Sequence, residues 1–406
     1  MTDAALEARP TFFPKVAPDG LLASVLLSFL ATAGLYYVNI MAAIVAGLKD
    51  GLGIPESAAG IIGSANVYGA AAGAFIAVFV VKSLPWRPLA VGALLALIAI
   101  DLGSTVLRSA DLLIPIRFMH GFIGGALVGT AFSVIARTKS PDRVFGMLLM
   151  VQFGLGGVGV MYLPGLVPQY GPQVLFLALA AFSFVTLLMV PFLPEYRRAS
   201  APAPGTEQPK APIKWLPLSS AILALFLFQA GNMALGAYII GLGKTAGLEM
   251  DFITTTLGLA AWIGAVGSGL VIVMGIRFGR STPLLIALLL TVVGNWAFHY
   301  SASKEVYFIA NCGTAITWAF VMPYLLGMMA SFDKAGQMAA VGGFASKMGL
   351  ATGPFVGAYL LDGVSYDVLI NMSVLMLVAS AFAALGPASD LDARPLPREY
   401  VLLPVA

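Results

Sequence analysis

Long apolar segments recur along the whole chain and are separated by short polar ones. Twelve of these segments reach the length of about 20 residues that a helix needs to cross a bilayer. They cover residues 21–48, 57–81, 88–107, 112–136, 144–169, 172–193, 215–243, 252–276, 281–300, 305–331, 335–361 and 365–386. We number them spans 1 to 12 and predict an all-α integral membrane protein with 12 transmembrane helices.

The composition excludes a water-soluble protein. Of the 406 residues, 59% are hydrophobic and only 10% are charged, whereas soluble domains are about 25% charged. The single cysteine, Cys312, allows no disulfide framework. The two histidines, His120 and His299, lie in different spans, which leaves too few ligands for a zinc site. We therefore expect neither a metal nor a cofactor.

A polar stretch at residues 195–214 divides the spans into two groups of six. Its sequence, EYRRASAPAPGTEQPKAPIK, is rich in Pro, Ala and charged residues and is typical of a linker. The loop at 140–146, after span 4, resembles the loop at 331–337, after span 10, because both begin with Ser followed by an acid and a base. We predict an N-terminal six-helix bundle at 1–194, a cytoplasmic linker at 195–214, and a C-terminal six-helix bundle with a cytoplasmic tail at 215–406.

The distribution of basic residues predicts the orientation, because loops rich in Lys and Arg stay in the cytoplasm. With the N-terminus inside, 16 of the 22 Lys and Arg residues fall on the cytoplasmic side and 4 in the outer loops. We therefore expect a multi-pass protein of the cell inner membrane with both termini in the cytoplasm. The net charge of +3 follows from this topology, so the lipid bilayer is an expected partner and nucleic acid is not.

Three motifs carry a family resemblance. Span 4 contains Arg117 and Gly121 in an R-x-x-x-G pattern, and the loop after span 8 reads Arg277-Phe-Gly279-Arg280. Span 11 contains the pattern G-x-x-x-G-P-x-x-G between Gly349 and Gly357. In these motifs and in its two groups of six spans, the chain resembles the major facilitator superfamily of secondary transporters over essentially its whole length. The resemblance implies two pseudo-symmetric six-helix bundles, alternating access, and a carrier that works as a monomer.

Three charged residues lie deep within the predicted spans, namely Asp101, Arg117 and Lys347. A charge at the centre of a transmembrane helix costs about 2.5–3.5 kcal/mol or more, so such residues face a cavity or a partner. At 1.5 Å per residue, Asp101 and Arg117 both lie roughly 8–9 Å below the outer boundary, and they are therefore able to pair. The pair is either structural or a proton-coupling site in which Asp101 titrates. His120 is a second candidate for coupling, because histidine changes charge near neutral pH, although it is equally suited to a hydrogen bond inside the bundle.

Lys347 lies near the midplane of span 11, and the second half has no acid at similar depth. An unpaired ammonium group at that depth binds an anion or loses its proton. The alternatives are that Lys347 bonds to backbone carbonyl groups, or that Asp101 neutralises it across a central cavity. The resemblance places span 4 beside this cavity, so Arg117 and Lys347, one in each half, predict a site for an organic anion, as in the carboxylate carriers of the superfamily. Further candidates for the binding site are the polar and aromatic residues Tyr36, Asn39, Gln152, Asn232, Trp262, Asn311, Trp318 and Tyr324.

Charged residues also lie in the loops on the predicted cytoplasmic side. Ion pairs between the two halves there would hold that side closed. The candidates for such gating are Arg87, Asp142, Arg143, Arg277, Arg280 and Asp333. The alternative is that these residues are merely solvated, as most surface charges are.

Three functions are compatible with these features. The first is a secondary active transporter that moves a small organic anion together with protons. The second is proton-coupled efflux of drugs or amphipathic metabolites. The third is a non-transporting sensor or assembly factor on the same fold, which gives no reason for retaining Lys347 near the midplane. We do not expect an enzyme, because the chain contains none of the usual nucleotide-binding, zinc-protease or nucleophile motifs.

Overall fold

The computed structural model describes residues 13–80, 84–139, 141–196, 214–274, 277–332, 337–361 and 365–393. These ranges contain helices and no strand. In the first half, span 1 consists of three helices, Leu21–Ala33, Tyr36–Asn39 and Met41–Leu52. Spans 2 to 6 are Glu56–Val80, Trp86–Ser104, Ala110–Ile135, Pro141–Tyr170 and Gln173–Met189, the last followed by a 3-10 turn at Val190–Phe192.

In the second half, span 7 consists of Trp215–Gly236 and Ile239–Thr245. Spans 8 to 12 are Met250–Met274, Ser281–Ala297 with a 3-10 turn at Phe298–Tyr300, Lys304–Ser331, Gln337–Leu361 and Tyr366–Asp392. Ten of these helices are long and apolar enough to cross a membrane. Span 1 falls short because it is interrupted, and Lys347 lowers the hydropathy of span 11. The predicted all-α membrane fold with 12 spans is confirmed.

Spans 1 and 7 are both interrupted, which the continuous apolar pattern did not indicate. Span 1 turns at Gly34 and Leu35, where Gly34 lies against the backbone of Gly124 in span 4. A side chain at Gly34 would overlap the carbonyl oxygen of Gly124, so only glycine permits this approach. Span 7 is interrupted between Gly236 and Ile239.

Glycines on span 4 form a helix contact face, as their spacing of four residues indicates. Gly121 and Gly125 lie against the backbone of Asn66 and Ala70 in span 2. A side chain at Gly121 would overlap the carbonyl oxygen of Asn66. This close backbone approach is the packing that small residues allow between transmembrane helices.

The two ends of the helix bundle differ in how the halves meet. We call the end that holds residues 13–20 and 193–196 the terminal side, and the end that holds residues 52–56 and 245–250 the distal side. On the distal side, one buried apolar cluster contains residues of both halves, among them Ile44 and Ile240. On the terminal side each half has its own cluster, and these clusters include Leu127 in the first half and Leu225 in the second. The halves therefore pack together distally and have separate cores towards the termini.

The predicted boundaries of the bundles and the linker stay predictions. Residues 197–213 of the linker and residues 394–406 of the tail lie outside the described part of the chain. The assignment of the terminal side to the cytoplasm likewise rests on the distribution of basic residues.

Candidate functional site

A cavity of about 520 Å³ lies between the two halves. Its walls include the interruptions of spans 1 and 7, together with residues of spans 5, 8, 10 and 11. The volume falls in the range of about 300–1,000 Å³ that is common for small-molecule sites. Six of the predicted binding residues line it: Asn39, Gln152, Asn232, Asn311, Trp318 and Lys347.

Lys347 is the one ionisable side chain among the described residues that line this cavity. Within the described part of the chain it forms no ion pair. The proposed neutralisation by Asp101 across the cavity does not occur, because Asp101 pairs with residues of its own half. The ammonium group therefore gives the cavity one uncompensated positive charge.

Asn39 contributes a second hydrogen-bond donor from the opposite half. It ends the short helix Tyr36–Asn39 in the interrupted part of span 1 and lines the cavity. Its amide nitrogen is buried, and among the described residues it has no hydrogen-bond partner. A buried donor that is left unpaired costs about 1–3 kcal/mol, so a ligand that accepts a hydrogen bond from this nitrogen, once the Asn39 side chain rotates towards the cavity, would recover this energy.

Two other amides in the cavity wall are held by their own helices. Asn232 donates to the carbonyl oxygen of Phe228 at 2.8 Å, and Asn311 donates to that of Tyr307 at 2.8 Å. These bonds fix the orientation of both side chains relative to the cavity.

A hydrogen-bonded chain next to Lys347 holds the aromatic part of the wall. The indole nitrogen of Trp318 donates to Gln229 at 2.8 Å, and Gln229 donates to the hydroxyl of Ser346 at 2.8 Å. The ring of Phe153 meets Trp318 edge-to-face, with centroids 6.1 Å apart. Phe153 comes from span 5 and Trp318 from span 10, so the two halves contribute one ring each. The apolar pattern alone did not distinguish Phe153 from residues that face lipid.

Arg117 does not line the cavity, which corrects the expectation that it points there. Its Nη1 lies 2.7 Å from Oδ1 of Asp101, and both side chains are completely buried. It also donates to Ser104 and to the carbonyl oxygen of Ile100, and its guanidinium group lies 4.8 Å from the ring centre of Phe176. Asp101 therefore neutralises the positive charge of Arg117 inside the N-terminal half.

His120 belongs to the same buried network. Its Nε2 lies 3.2 Å from Oδ2 of Asp101, and its Nδ1 lies 2.8 Å from the amide of Asn66. The ring of Tyr37 is 5.8 Å from the ring of His120. Since Tyr37 lies in the interrupted part of span 1, the network touches the segment that carries Asn39.

Three further candidates for the binding site lie elsewhere. Tyr36 stacks on Phe182 at 4.6 Å, and Tyr324 packs on Phe320 in the separate core of the C-terminal half. Trp262 donates to the carbonyl oxygen of Gly154 at 3.1 Å, where spans 5 and 8 meet. Each is absent from the lining of the cavity. Aromatic residues with a polar end suit packing between helices as well as ligand binding. The residue type alone therefore did not show which of them line the cavity.

Polar contacts link the halves on the distal side. Lys244 at the end of span 7 forms an ion pair with Asp50 at the end of span 1. Glu56 at the start of span 2 accepts a hydrogen bond from Tyr366 of span 12 at 2.6 Å and pairs with Lys49 at 2.7 Å. These contacts close the distal end of the cavity together with the shared apolar cluster.

The predicted gating residues that the structure describes lie at the terminal side, and those whose contacts are described bond within their own half. Arg87 lies 3.0 Å from Glu195, and Arg280 donates through its backbone to Asp392 at 2.7 Å. Arg143 and Arg277 lie in the same region. Asp333 and the side chain of Asp142 lie outside the described part of the structure.

Comparison with known proteins agrees with this architecture. The model of the Major Facilitator Superfamily matches residues 24–354. The solved structure of the nucleoside transporter NupG is similar with a TM-score of 0.68 at 13% identity, covering 90% of this chain and 99% of that one. The human organic anion transporter MFSD10 is similar with a TM-score of 0.65 at 18% identity, covering 91% of this chain and 100% of that one.

No curated protein sequence matches the chain. At these identities the two structures support the fold and leave the substrate open, since one fold serves many functions. The matched family model covers most of the chain, in agreement with the two halves, the glycine contact faces and the central cavity. The chain belongs to the Major Facilitator Superfamily and is a multi-pass membrane transporter.

Proposed function

We propose that this protein is a secondary active transporter that moves a small organic anion of the carboxylate type by alternating access. The observation that carries the proposal is Lys347, whose ammonium group lines the cavity and, among the described residues, has no ion-pair partner. An uncompensated charge away from water is costly. A carboxylate that enters the cavity supplies the missing partner.

Hydrogen-bond donors support the same ligand type. Asn39 presents a buried amide nitrogen without a described partner, in the half opposite Lys347. A carboxylate accepts hydrogen bonds through two oxygens. One anion that contacts both Asn39 and Lys347 would draw the two halves together, which is what closure of an alternating-access carrier requires.

The arrangement of the cores supports alternating access. The halves share an apolar cluster on the distal side and have separate clusters on the terminal side. This difference supports a state that opens towards the terminal side, the side that the basic residues assign to the cytoplasm. Rocking of one bundle against the other would expose the same cavity distally. In that state we propose that the gating candidates come together and close the terminal side, namely Arg87, Asp142, Arg143, Arg277, Arg280 and Asp333.

We propose that protons drive the transport through Asp101 and His120. A proton affects transport only when its binding differs between the two states. His120 contacts Tyr37 in the interrupted part of span 1, two residues before Asn39 in the cavity wall. A change of charge at His120 is thereby transmitted to the segment that touches the substrate.

Uptake by proteoliposomes tests the anion site. Lys347→Gln removes the charge and keeps a polar side chain, so we expect loss of carboxylate binding and uptake. Lys304→Gln, on an exposed residue at the distal end of span 10, is the matched control and leaves uptake unchanged. Binding of carboxylates by Lys347→Gln at the affinity of the unaltered protein would contradict the proposal.

Proton-coupled efflux of drugs or amphipathic metabolites is the second candidate function. It is favoured by the aromatic part of the wall, where Phe153 and Trp318 meet. The same assay separates the two functions, because cationic or neutral compounds would then bind independently of Lys347.

A further inference from the structure

We infer that the transported anion is monovalent and carries an apolar body with a flat ring, as an aromatic monocarboxylate does. This inference rests on the proposed function and narrows its substrate class. It combines three observations: the charge of the cavity, the position of Arg117, and the ring pair in the wall.

The charge of the cavity follows from the side chains that face it. Lys347 is the one ionisable group among the described lining residues. The expectation of two cations, one per half, does not hold, because Asp101 neutralises Arg117 outside the cavity. A ligand with one negative charge therefore matches the described wall.

A second negative charge on the ligand would remain unmatched. The residues around Lys347 are amides, hydroxyls and apolar side chains, which offer no further positive charge in the described wall. An unpaired charge in such surroundings is unfavourable unless a partner neutralises it. A dicarboxylate is therefore expected to bind more weakly than a monocarboxylate of the same shape.

The wall also selects the body of the ligand. Phe153 and Trp318 meet edge-to-face from opposite halves, and Phe132 and Phe298 line the cavity as well. Gln229 fixes the indole of Trp318 through a hydrogen bond of 2.8 Å. Aromatic surfaces favour flat apolar groups through burial and ring contacts. Gln229 is thus a positioning residue, which acts on the ligand through Trp318.

Pairs of ligands that match in shape and differ by one negative charge test which ligand charge the cavity prefers. Terephthalate and its monomethyl ester have nearly the same size and differ by one charge, and benzoate and benzamide differ likewise. Binding is measured by calorimetry on the purified full-length protein. We expect the monomethyl ester to bind at least about tenfold more tightly than terephthalate, and benzoate more tightly than benzamide.

The two failures are distinguishable. Equal binding of benzoate and benzamide would overturn the proposed anion site itself. Equal binding of terephthalate and its monomethyl ester, with benzoate still favoured over benzamide, would overturn the single charge alone and leave the anion site standing.

The ring contact is tested with Trp318→Leu and Gln229→Leu. Benzoate and acetate share a carboxylate and differ in the ring, so we expect both variants to lower the ratio of benzoate affinity to acetate affinity. Trp318→Phe retains a ring and restores most of the preference. A benzoate-to-acetate ratio that is the same in all variants would overturn the role of the aromatic wall, and thermal unfolding of each variant verifies that it is folded.

Discussion

Oδ1 of Asp101 and Nη1 of Arg117 lie 2.7 Å apart, and neither side chain is exposed. The two residues are in consecutive spans at the same depth, as the residue count from the outer boundary predicts. Their pairing turns Arg117 away from the cavity and leaves Lys347 as the one cation in its described wall. The stability of a buried ion pair depends on both partners, so replacing either one is expected to destabilise the protein.

Loss of one partner of this pair is expected to destabilise the protein. Arg117→Met removes the ion-pair partner of Asp101 and leaves this buried carboxylate with His120 alone; breaking a buried ion pair costs about 3–5 kcal/mol. Asp101→Asn leaves the guanidinium group of Arg117 buried without its carboxylate partner. Thermal unfolding in detergent measures both variants.

The double variant Asp101→Asn/Arg117→Met tests whether the unpaired charge is what destabilises the single variants. Replacing both charges is expected to restore much of the stability, since a buried ion pair contributes little net stability compared with neutral groups. If the double variant is as unstable as the single ones, the ion pair is not the source of the effect.

Transport is expected to lose its pH dependence when His120 is replaced. His120→Gln keeps a polar side chain beside Asp101 and Asn66 but removes the ionisable imidazole. Uptake into proteoliposomes is measured with and without a proton gradient. His299→Gln is the control, because His299 contacts Asp367 at 2.9 Å on the distal side, far from the network. An unchanged pH profile in His120→Gln would contradict its role in coupling.

Weakening the distal contacts is expected to favour the state open on that side. The side chains of Asp50 and Lys244 are each more than one-third exposed, so Lys244→Gln shifts the equilibrium by at most about fivefold, equivalent to about 1 kcal/mol. Tyr366→Phe adds to this shift, because it removes the donor to the largely buried Glu56.

Labelling of a cavity cysteine measures this shift. In a Cys312→Ala background, Asn232→Cys reports access from each side with a membrane-impermeant maleimide. We expect faster labelling from the distal side in Lys244→Gln and Tyr366→Phe, and no change in Lys304→Gln. The same rate in all of these variants would show that the distal contacts do not hold the cavity closed.

A single methyl group on the contact face of span 4 is expected to destabilise the N-terminal half. Gly121→Ala would overlap the carbonyl oxygen of Asn66, which belongs to the backbone and moves only with span 2. Such overpacking costs about 1–3 kcal/mol. Gly103→Ala in span 3 is the matched control, because a methyl group there meets no atom within 4 Å. Equal melting temperatures of the two variants would contradict the close packing of spans 2 and 4.

The sequence was most informative about depth along a helix. Counting residues located Asp101 and Arg117 at one level and Lys347 near the midplane, because each residue of a helix adds a fixed rise. The spacing of Gly121 and Gly125 likewise identified a contact face. Residue counting does not provide the direction from which a neighbouring helix approaches. The approach of span 3 decided where Arg117 points.

The sequence by itself determined the membrane class, the 12 spans and the three embedded charges, because these follow from hydropathy, length and the cost of a charge in hydrocarbon. Only the tertiary structure decided which polar residues meet. It turned Arg117 towards span 3, interrupted spans 1 and 7 beside the cavity, and left Tyr36, Trp262 and Tyr324 in packing contacts. Those outcomes depend on the packing of helices distant in sequence, and a pattern along one helix contains no information about its neighbours.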